Sequence, residues 1–82
     1  MEDVKELKFE IVRKLGVLSD GATRAWRKEL NVVAWNEREP KLDIREWNDE
    51  HTRMGRGVTL TREEGEKLYA YLGSFFKQGS KL

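Results

Sequence analysis

Residues Lys41–Trp47 read KLDIREW, and the alternation of apolar and polar side chains in this stretch predicts a β-strand. Leu42 and Ile44 fall on one face of that strand. The opposite, predicted solvent-facing side carries Lys41, Asp43, Arg45 and Trp47. A tryptophan that shares a wet face with an arginine and a lysine is unusual for a purely structural strand, and it is the first indication of a binding surface.

The preceding run AWRKELNVVAWN, residues 25–36, repeats this pattern and predicts a neighbouring strand. Its apolar face consists of Leu30, Val32 and Ala34. Its other face carries Arg27, Glu29, Asn31, Val33 and Trp35. The polar loop NEREP, residues 36–40, separates the two strands, and Pro40 stands at the entrance of the second strand, where a missing N–H costs little.

Two further strands are predicted on either side of this pair. The run KFEIVRKLGVL, from Lys8, alternates apart from Arg13, with Phe9, Ile11 and Leu15 on the apolar face and Lys8, Glu10, Val12 and Lys14 on the other. The turn-forming segment SDGATR, residues 19–24, follows it. The short segment VTL, residues 58–60, predicts a fourth strand, and Gly55 and Gly57 before it permit a tight bend or a bulge.

A helix is predicted to begin after Thr61, because Thr-Arg-Glu-Glu at residues 61–64 is a capping box. The apolar residues of this helix cover roughly 160° of its circumference, which is wider than the stripe of an ordinary surface helix. The excess apolar surface predicts either a very hydrophobic packing groove or a second copy of the chain, and we favour a homodimer in which helices meet. The predicted interface residues are Leu68, Tyr69, Tyr71, Leu72, Phe75 and Phe76.

The expected fold is therefore α+β, with a four-stranded antiparallel sheet followed by one C-terminal helix. With 82 residues, the chain accommodates one domain, which we place at residues 7–77 between flexible ends at 1–6 and 78–82. The acidic start MEDVKELKFEIV is unlike a signal peptide, and no apolar run is long enough for a membrane helix. We expect a cytoplasmic protein that does not bind membranes, with association with the nucleoid as the alternative setting.

Composition argues against most enzyme classes. The chain has no cysteine, which excludes thiol nucleophiles and thiolate metal sites, and it lacks a phosphate-binding loop with a following Lys and Ser/Thr. The single histidine, His51, has no supporting catalytic or metal-binding set in the sequence and is interpreted as a solvated loop residue. We therefore predict no catalysis, no metal and no cofactor. The net charge of +1 does not by itself predict a polyanionic partner.

The wet face of the predicted sheet instead suits an unpaired nucleic-acid strand, because bases stack on indole rings and cations meet phosphates. The candidate binding residues are Lys8, Lys14, Arg27, Asn31, Trp35, Lys41, Arg45, Trp47, Arg53 and Arg56. The alternative is that Trp35 and Trp47 are half-buried sheet residues covered by arginine stems. Asp43 is interpreted as a cross-strand ion-pair partner that orients Arg27 or Arg45. Trp26 falls on the Leu30 face, so we expect it in the core or an interface.

The segment ELNVVAWNEREPKLDIREWNDEHTRMGRGVTLTREEGEKLYAYL resembles the positive cofactor four family, the p15 transcriptional coactivators that bind single-stranded DNA. The motifs that carry the resemblance are Trp35 at the end of the second strand, DIREW at residues 43–47 and GRGVTLT at residues 55–61. The bacterial YdbC branch is also similar at KFEIVRKLGVLS, residues 8–19, and at KELN, residues 28–31.

This resemblance implies a sheet-and-helix protomer that dimerises through its helix side and binds single-stranded DNA across the outer sheet face. The stacking aromatic of the family corresponds to Trp35, its binding arginine to Arg45, its following tryptophan approximately to Trp47, and a basic residue to Arg56. Eukaryotic members carry lysines where this chain has Asn36, Glu37 and Arg38. The expected function is sequence-tolerant single-stranded DNA binding in bacterial transcription, replication or repair. The alternatives are single-stranded RNA binding on the same face and a protein-interaction module that uses the apolar helix.

Overall fold

Five elements make up the chain in the computed structural model, which describes residues 8–20, 25–79 and 81. They are β1 (Phe9–Ser19), β2 (Trp26–Trp35), β3 (Lys41–Asn48), β4 (Met54–Leu60) and α1 (Arg62–Lys77). The strands are antiparallel in the order β1-β2-β3-β4, which confirms the predicted α+β fold. The predicted flexible segment 1–6, residues 21–24 of the predicted turn, and residues 80 and 82 of the predicted flexible end lie outside the described residues.

The β3–β4 ladder contains a bulge at the glycines that predicted one. Arg45 lies opposite Gly57 and Trp47 opposite Met54, so β4 has one more residue than β3 between these pairs. A Cβ at position 57 would overlap the Cβ of Arg45 and the Ile44 carbonyl oxygen, and only glycine fits there. The strand therefore begins at Met54 and is longer than the predicted VTL segment.

In the ladder between β1 and β2, every three residues of β1 lie alongside two residues of β2. Ile11, Lys14 and Val17 lie opposite Val33, Asn31 and Glu29, and a register shift separates each step from the next. The surplus residues are Val12, Leu15 and Leu18. Because each bulge increases the local bend and twist, three in succession curl β1 relative to β2. Phe9 and Ile11 thereby share a face with Trp35, which corrects their predicted position on the opposite, apolar face.

The buried side chains lie on the face that was predicted to be wet. Five residues among those described are almost inaccessible, namely Glu29, Asn31, Val33, Asp43 and Trp47, with 0 to 4 % of their surface exposed. All five belong to the sides of β2 and β3 that were predicted to face solvent. The curl of β1 explains the difference, because it lays its aromatic end over these strands. Period-two alternation assigned the two faces correctly for β2 and β3 but could not predict which one would be covered.

The helix begins with the predicted capping box. The Glu64 N–H donates to the Thr61 hydroxyl over 3.1 Å, and the Thr61 N–H donates to the Glu64 carboxylate over 2.9 Å. One turn later Gly65 lies directly on Leu42 of β3, and a Cβ at position 65 would overlap that leucine. The helix therefore approaches the sheet most closely near its N-terminal end, where glycine leaves room.

The reverse face of the sheet, which is the face toward α1, is only partly covered. An apolar groove of about 280 Å³ runs between sheet and helix and is lined by Leu18, Leu30, Leu42, Ile44, Leu60, Gly65, Leu68, Tyr69 and Leu72. No residue of α1 is buried, and Tyr69 is 81 % exposed. The apolar strand faces therefore lie toward the helix, which covers them only in part in the protomer. The radius of gyration, 14.9 Å, exceeds the value of about 12 Å typical of this chain length.

Candidate nucleic-acid interface

Four aromatic rings form a row across the curled face, which is the face of the sheet that carries Glu29, Asn31, Val33, Asp43 and Trp47. The Phe9 ring lies 6.0 Å from the Trp35 ring and 5.1 Å from the Trp47 ring, measured between centroids, and the His51 ring lies 5.6 Å from Trp47. Trp35, at the end of β2, is half-buried, whereas Trp47 in the middle of the row is fully covered. The predicted exposure of Trp47 is wrong. Of the two tryptophans, Trp35 alone offers an accessible surface in this conformation.

Arg45 supports the accessible tryptophan from the sheet. Its guanidinium carbon lies 4.8 Å from the centre of the Trp35 ring, a cation–π distance. The guanidinium donates to both carboxylate oxygens of Asp43, from Nε over 2.7 Å and from Nη2 over 2.9 Å. Nη1 also donates to the Gly55 carbonyl over 3.3 Å. These bonds fix the plane of the guanidinium, so the Trp35 ring rests on a rigid cationic support.

Asp43 is the base of this support. Its side chain is completely buried, and one of its oxygens accepts a third hydrogen bond, from the Thr59 hydroxyl over 3.0 Å. The prediction that Asp43 orients an arginine is confirmed for Arg45. The predicted cross-strand geometry is wrong, because the two residues follow each other along β3, and Arg27 pairs instead with Glu29 and Asp49.

A second polar cluster centres on Glu29 at the other end of the aromatic row. Nε2 of His51 donates to the two carboxylate oxygens of Glu29 over 3.0 and 3.1 Å, and the Asn31 amide donates to Oε1 over 3.1 Å. Burial raises the pKa of the Glu29 carboxyl. The Asn31 and His51 hydrogen bonds, with the charges of His51 and Arg27, outweigh burial and hold that pKa below its ordinary value.

The lowered pKa of Glu29 predicts an acid-sensitive contribution to folding. A depressed carboxyl pKa stabilises the folded state above the unfolded value, near 4.5, and that stabilisation is lost as pH falls through the folded value. We expect the difference in unfolding free energy between the native chain and Glu29→Gln to be constant above that window and to shrink within it. Urea titrations from pH 6 to 3 measure this difference. A pH-independent difference would contradict it.

Two turns place the ends of the aromatic row. Asn36 and Glu37 after β2 have positive φ angles of 52° and 65°, and the Arg38 N–H donates to the Trp35 carbonyl over 2.9 Å. This turn reverses the chain direction immediately after Trp35. In the β3–β4 loop the Asn48 side chain accepts from the Thr52 and Arg53 N–H groups over 2.9 Å. His51 in this loop has φ 59°, which directs the backbone so that its ring reaches Glu29.

The structure brings most of the predicted binding residues to the curled face. By strand register this face contains Lys14, Arg27, Asn31, Trp35, Lys41, Arg45 and Trp47. Asn31 is buried and contributes to the floor of the face, whereas Lys14 and Lys41 are exposed. Lys8 alternates with Phe9 along the chain and lines a depression together with Phe9, Glu10, Ala34 and Glu37.

The two remaining predicted cations lie on the β3–β4 loop and at the bulge. Arg53 is exposed in the loop, and Arg56 is exposed at the bulge, where it borders an open depression of about 410 Å³ that Lys28 and Val58 also line. The depression beside Arg56 extends across Ile44 and Glu46 of β3 to Lys28 of β2.

Sequence reasoning missed Phe9 and His51. The three-residue repeat of β1 hid Phe9, because simple alternation placed its ring on the apolar side. His51 is not solvated as predicted, since its side chain is 17 % exposed and bonded to Glu29. Neither residue carried a recognisable local signal. In residues 8–20, 25–79 and 81, no group of three acidic or histidine side chains could hold a metal ion, and no helix is long and apolar enough to span a membrane.

Comparison with known proteins identifies the family of the chain. Residues 23–71, from just before β2 to the middle of α1, match the family model described as Transcriptional Coactivator p15 (PC4). An uncharacterized protein of Treponema pallidum (strain Nichols) is 42 % identical over 66 residues, which cover 80 % of this chain and 76 % of the relative. The chain thus belongs to the transcriptional coactivator p15 (PC4) family, a non-enzymatic family of nucleic-acid-binding proteins.

Proposed function

We propose that the protein binds single-stranded DNA with little sequence preference, without catalysis, in the manner of the bacterial YdbC branch of its family. The observation that carries this proposal is the platform formed by Trp35 on Arg45. An indole held flat and half-exposed can stack on any base, since every base has a π-face. The fixed position of Arg45 means that little side-chain entropy is lost when a base arrives.

Exposed cations near the platform supply the complementary contact to phosphate. Lys41 enters β3 close to the chain reversal that follows Trp35, and Lys14 and Arg27 lie farther along the same face. Arg27 retains 36 % of its side chain exposed while it pairs with Asp49 over 3.4 Å. Such a path of separated positive charges suits a single strand, whose phosphates lie along one line. The formal charge of +1 is thus less informative than where the charges lie.

The experiment that tests this proposal is a fluorescence titration with oligo-dT, oligo-rU and a duplex of equal length at two salt concentrations. We expect oligo-dT to quench tryptophan fluorescence, the duplex to have little effect, and the affinity to fall as salt rises. Tighter binding of oligo-rU would favour the RNA alternative. Absence of a response to every oligonucleotide at low salt would exclude the nucleic-acid function and favour the protein-interaction module.

Trp35→Ala is expected to weaken oligo-dT binding about 5- to 150-fold, because one stacked base contributes about 1–3 kcal/mol. The fold should persist, since the ring is only half-buried. Trp26→Ala is the matched control, because it removes the same ring from the reverse face of β2 and should leave DNA affinity unchanged. Equal losses of oligo-dT affinity in the two variants would mean that the DNA strand does not bind at Trp35.

We further propose that two copies of the chain meet through the reverse face and α1. The groove between sheet and helix is almost entirely apolar, and Tyr71 and Phe76 beside it are 69 % and 63 % exposed. Exposed apolar area on this scale is typical of an interface. The proposed contact residues are Leu68, Tyr69, Tyr71, Leu72, Phe75 and Phe76. A dimer of this kind leaves both curled faces free for DNA.

Sedimentation equilibrium tests the dimer directly. We expect a dimer at micromolar protein and a shift toward monomer in Leu72→Glu, because a carboxylate introduced into an apolar interface is costly to bury. Glu66→Gln on the same helix is the control, since Glu66 is exposed and pairs with Arg62. A native chain that remains monomeric at these concentrations would contradict the proposed interface.

A further inference from the structure

The His51 side chain is held in the way that a nucleobase is held in many binding sites. Its ring lies against the Trp47 ring at 5.6 Å with an interplanar angle of 37°. Its Nε2 donates to the buried carboxylate of Glu29 over 3.0 and 3.1 Å. A flat ring that lies against an indole and is hydrogen-bonded at its edge combines the two interactions by which proteins recognise an unpaired base.

The place occupied by His51 has more hydrogen-bonding capacity than an imidazole can use. The Glu29 carboxylate accepts one His51 N–H on both oxygens and the Asn31 amide on Oε1, although a carboxylate offers about four acceptor positions. Two donors on residues of the same cluster, Nε of Arg27 and Nε1 of Trp47, are buried and have no hydrogen-bond partner within the described part of the chain. Buried donors without partners are uncommon in proteins, and the acceptors of a bound group would satisfy these two.

Space for a larger ring adjoins this position. A depression of about 180 Å³ lies beside His51 and is lined by Lys14, Gly16, Val17, Arg27, Glu29, Asn31 and His51. Its rim is cationic at Lys14 and Arg27, and its floor is the Glu29 carboxylate, which is 4 % exposed. An incoming group therefore meets positive charge at the entrance and a hydrogen-bond acceptor at the bottom.

We propose that this cluster is a second base subsite, which opens when the His51 side chain rotates out, and that it prefers guanine. Guanine presents two adjacent N–H donors, N1–H and N2–H, which match the two oxygens of Glu29. Its O6 and N7 acceptors suit Lys14 and the Nε donor of Arg27, which lies 3.9 Å from Glu29 as an ion pair but makes no hydrogen bond. Thymine offers a single ring N–H between two carbonyl oxygens, and these would oppose the carboxylate.

The proposal rests on the proposed strand-binding function and adds base selectivity at one point along it. The Trp35 platform has no base-reading edge, so most of the strand remains sequence-tolerant. His51 acts as an internal competitor for the subsite, because Glu29 and Trp47 bind either the imidazole or the base. The apparent affinity for guanine is then reduced by the fraction of molecules in which His51 occupies the position.

The test compares oligo-dT with the same oligomer carrying one internal dG, by fluorescence anisotropy, for the native chain, His51→Ala and Glu29→Gln. His51→Ala removes the charge-assisted hydrogen bond by which the competing imidazole holds Glu29. This variant should therefore bind the dG oligomer about tenfold more tightly than the native chain does. The quantity compared is the ratio of dG-oligomer to oligo-dT affinity in each variant, because thymine does not match the Glu29 carboxylate. Glu29→Gln should abolish the preference for dG, because an amide presents a donor to N2–H, whereas Glu66→Gln should retain it. Thermal unfolding of each variant verifies that it is folded.

The outcomes separate this proposal from the proposed function. Binding of oligo-dT with no preference for dG in the native chain or in His51→Ala overturns the subsite and leaves the Trp35 platform intact. Glu29-dependent binding of dG oligomers without oligo-dT binding supports the subsite and overturns the platform. Binding of neither oligomer overturns both.

Discussion

Trp47→Ala is expected to destabilise the protein by about 3–5 kcal/mol, the usual cost of truncating a fully buried large aromatic residue. Trp47 has no exposed surface, and its ring lies between those of Phe9 and His51. The variant would lose the centre of the aromatic row and the ring contact between Phe9 of β1 and β3. For a small domain with a stability of about 5–15 kcal/mol, this loss leaves a marginal fold.

Urea denaturation at a fixed protein concentration measures this effect, since any dimerisation would make the apparent stability depend on concentration. Trp35→Ala is the internal comparison and should cost less, because its ring is half-exposed. If Trp47→Ala unfolds at the same urea concentration as the native protein but no longer binds oligo-dT, Trp47 is a surface stacking residue, as the sequence pattern predicted.

Asp43→Asn is the second substitution with a large expected effect. It leaves the Arg45 guanidinium without its anionic partner in a site where the aspartate is completely buried. Breaking a buried ion pair from one side costs about 3–5 kcal/mol, and we expect the lower end because 14 % of the Arg45 side chain remains exposed. The Trp35 ring should also lose its support, so oligo-dT binding falls together with stability.

Thr59→Val provides a graded control for the same site. It removes one hydrogen bond to Asp43 and leaves the ion pair intact, so we expect a loss of about 1 kcal/mol. Chemical denaturation and oligo-dT titration of both variants give the two quantities. If Asp43→Asn costs no more than Thr59→Val, the carboxylate charge is not what holds Arg45.

The regular part of the fold followed from the sequence because its signals are local. The alternation of β3, the capping box at Thr61 and the glycines before Val58 each depend on neighbouring residues, and each appears in the structure as predicted. The partners of Asp43 were nearly predictable for the same reason, since Arg45 is two residues away on the same face.

The sequence did not predict which of the two sheet faces is covered, because this depends on contacts between residues far apart in the chain. Whether Trp47 is exposed or buried depends on Phe9, 38 positions earlier, and the path of Phe9 depends on three bulges, of which only the second adjoins a glycine, Gly16. The pairing of His51 with Glu29 likewise joins a loop to a strand 22 residues away. Parity assigns a side chain to a face but contains no information on what covers that face.

The three-residue repeat of β1 implies that the curvature of this sheet is encoded by the number of residues and not by their kind. Val12, Leu15 and Leu18 take no place of their own in the ladder with β2, so deletion of any one would leave the pairing on either side in phase. Each deletion would remove one increment of bend. The depth of the curled face could therefore change in discrete steps between related chains through single-codon insertions and deletions, without replacement of any residue on the face.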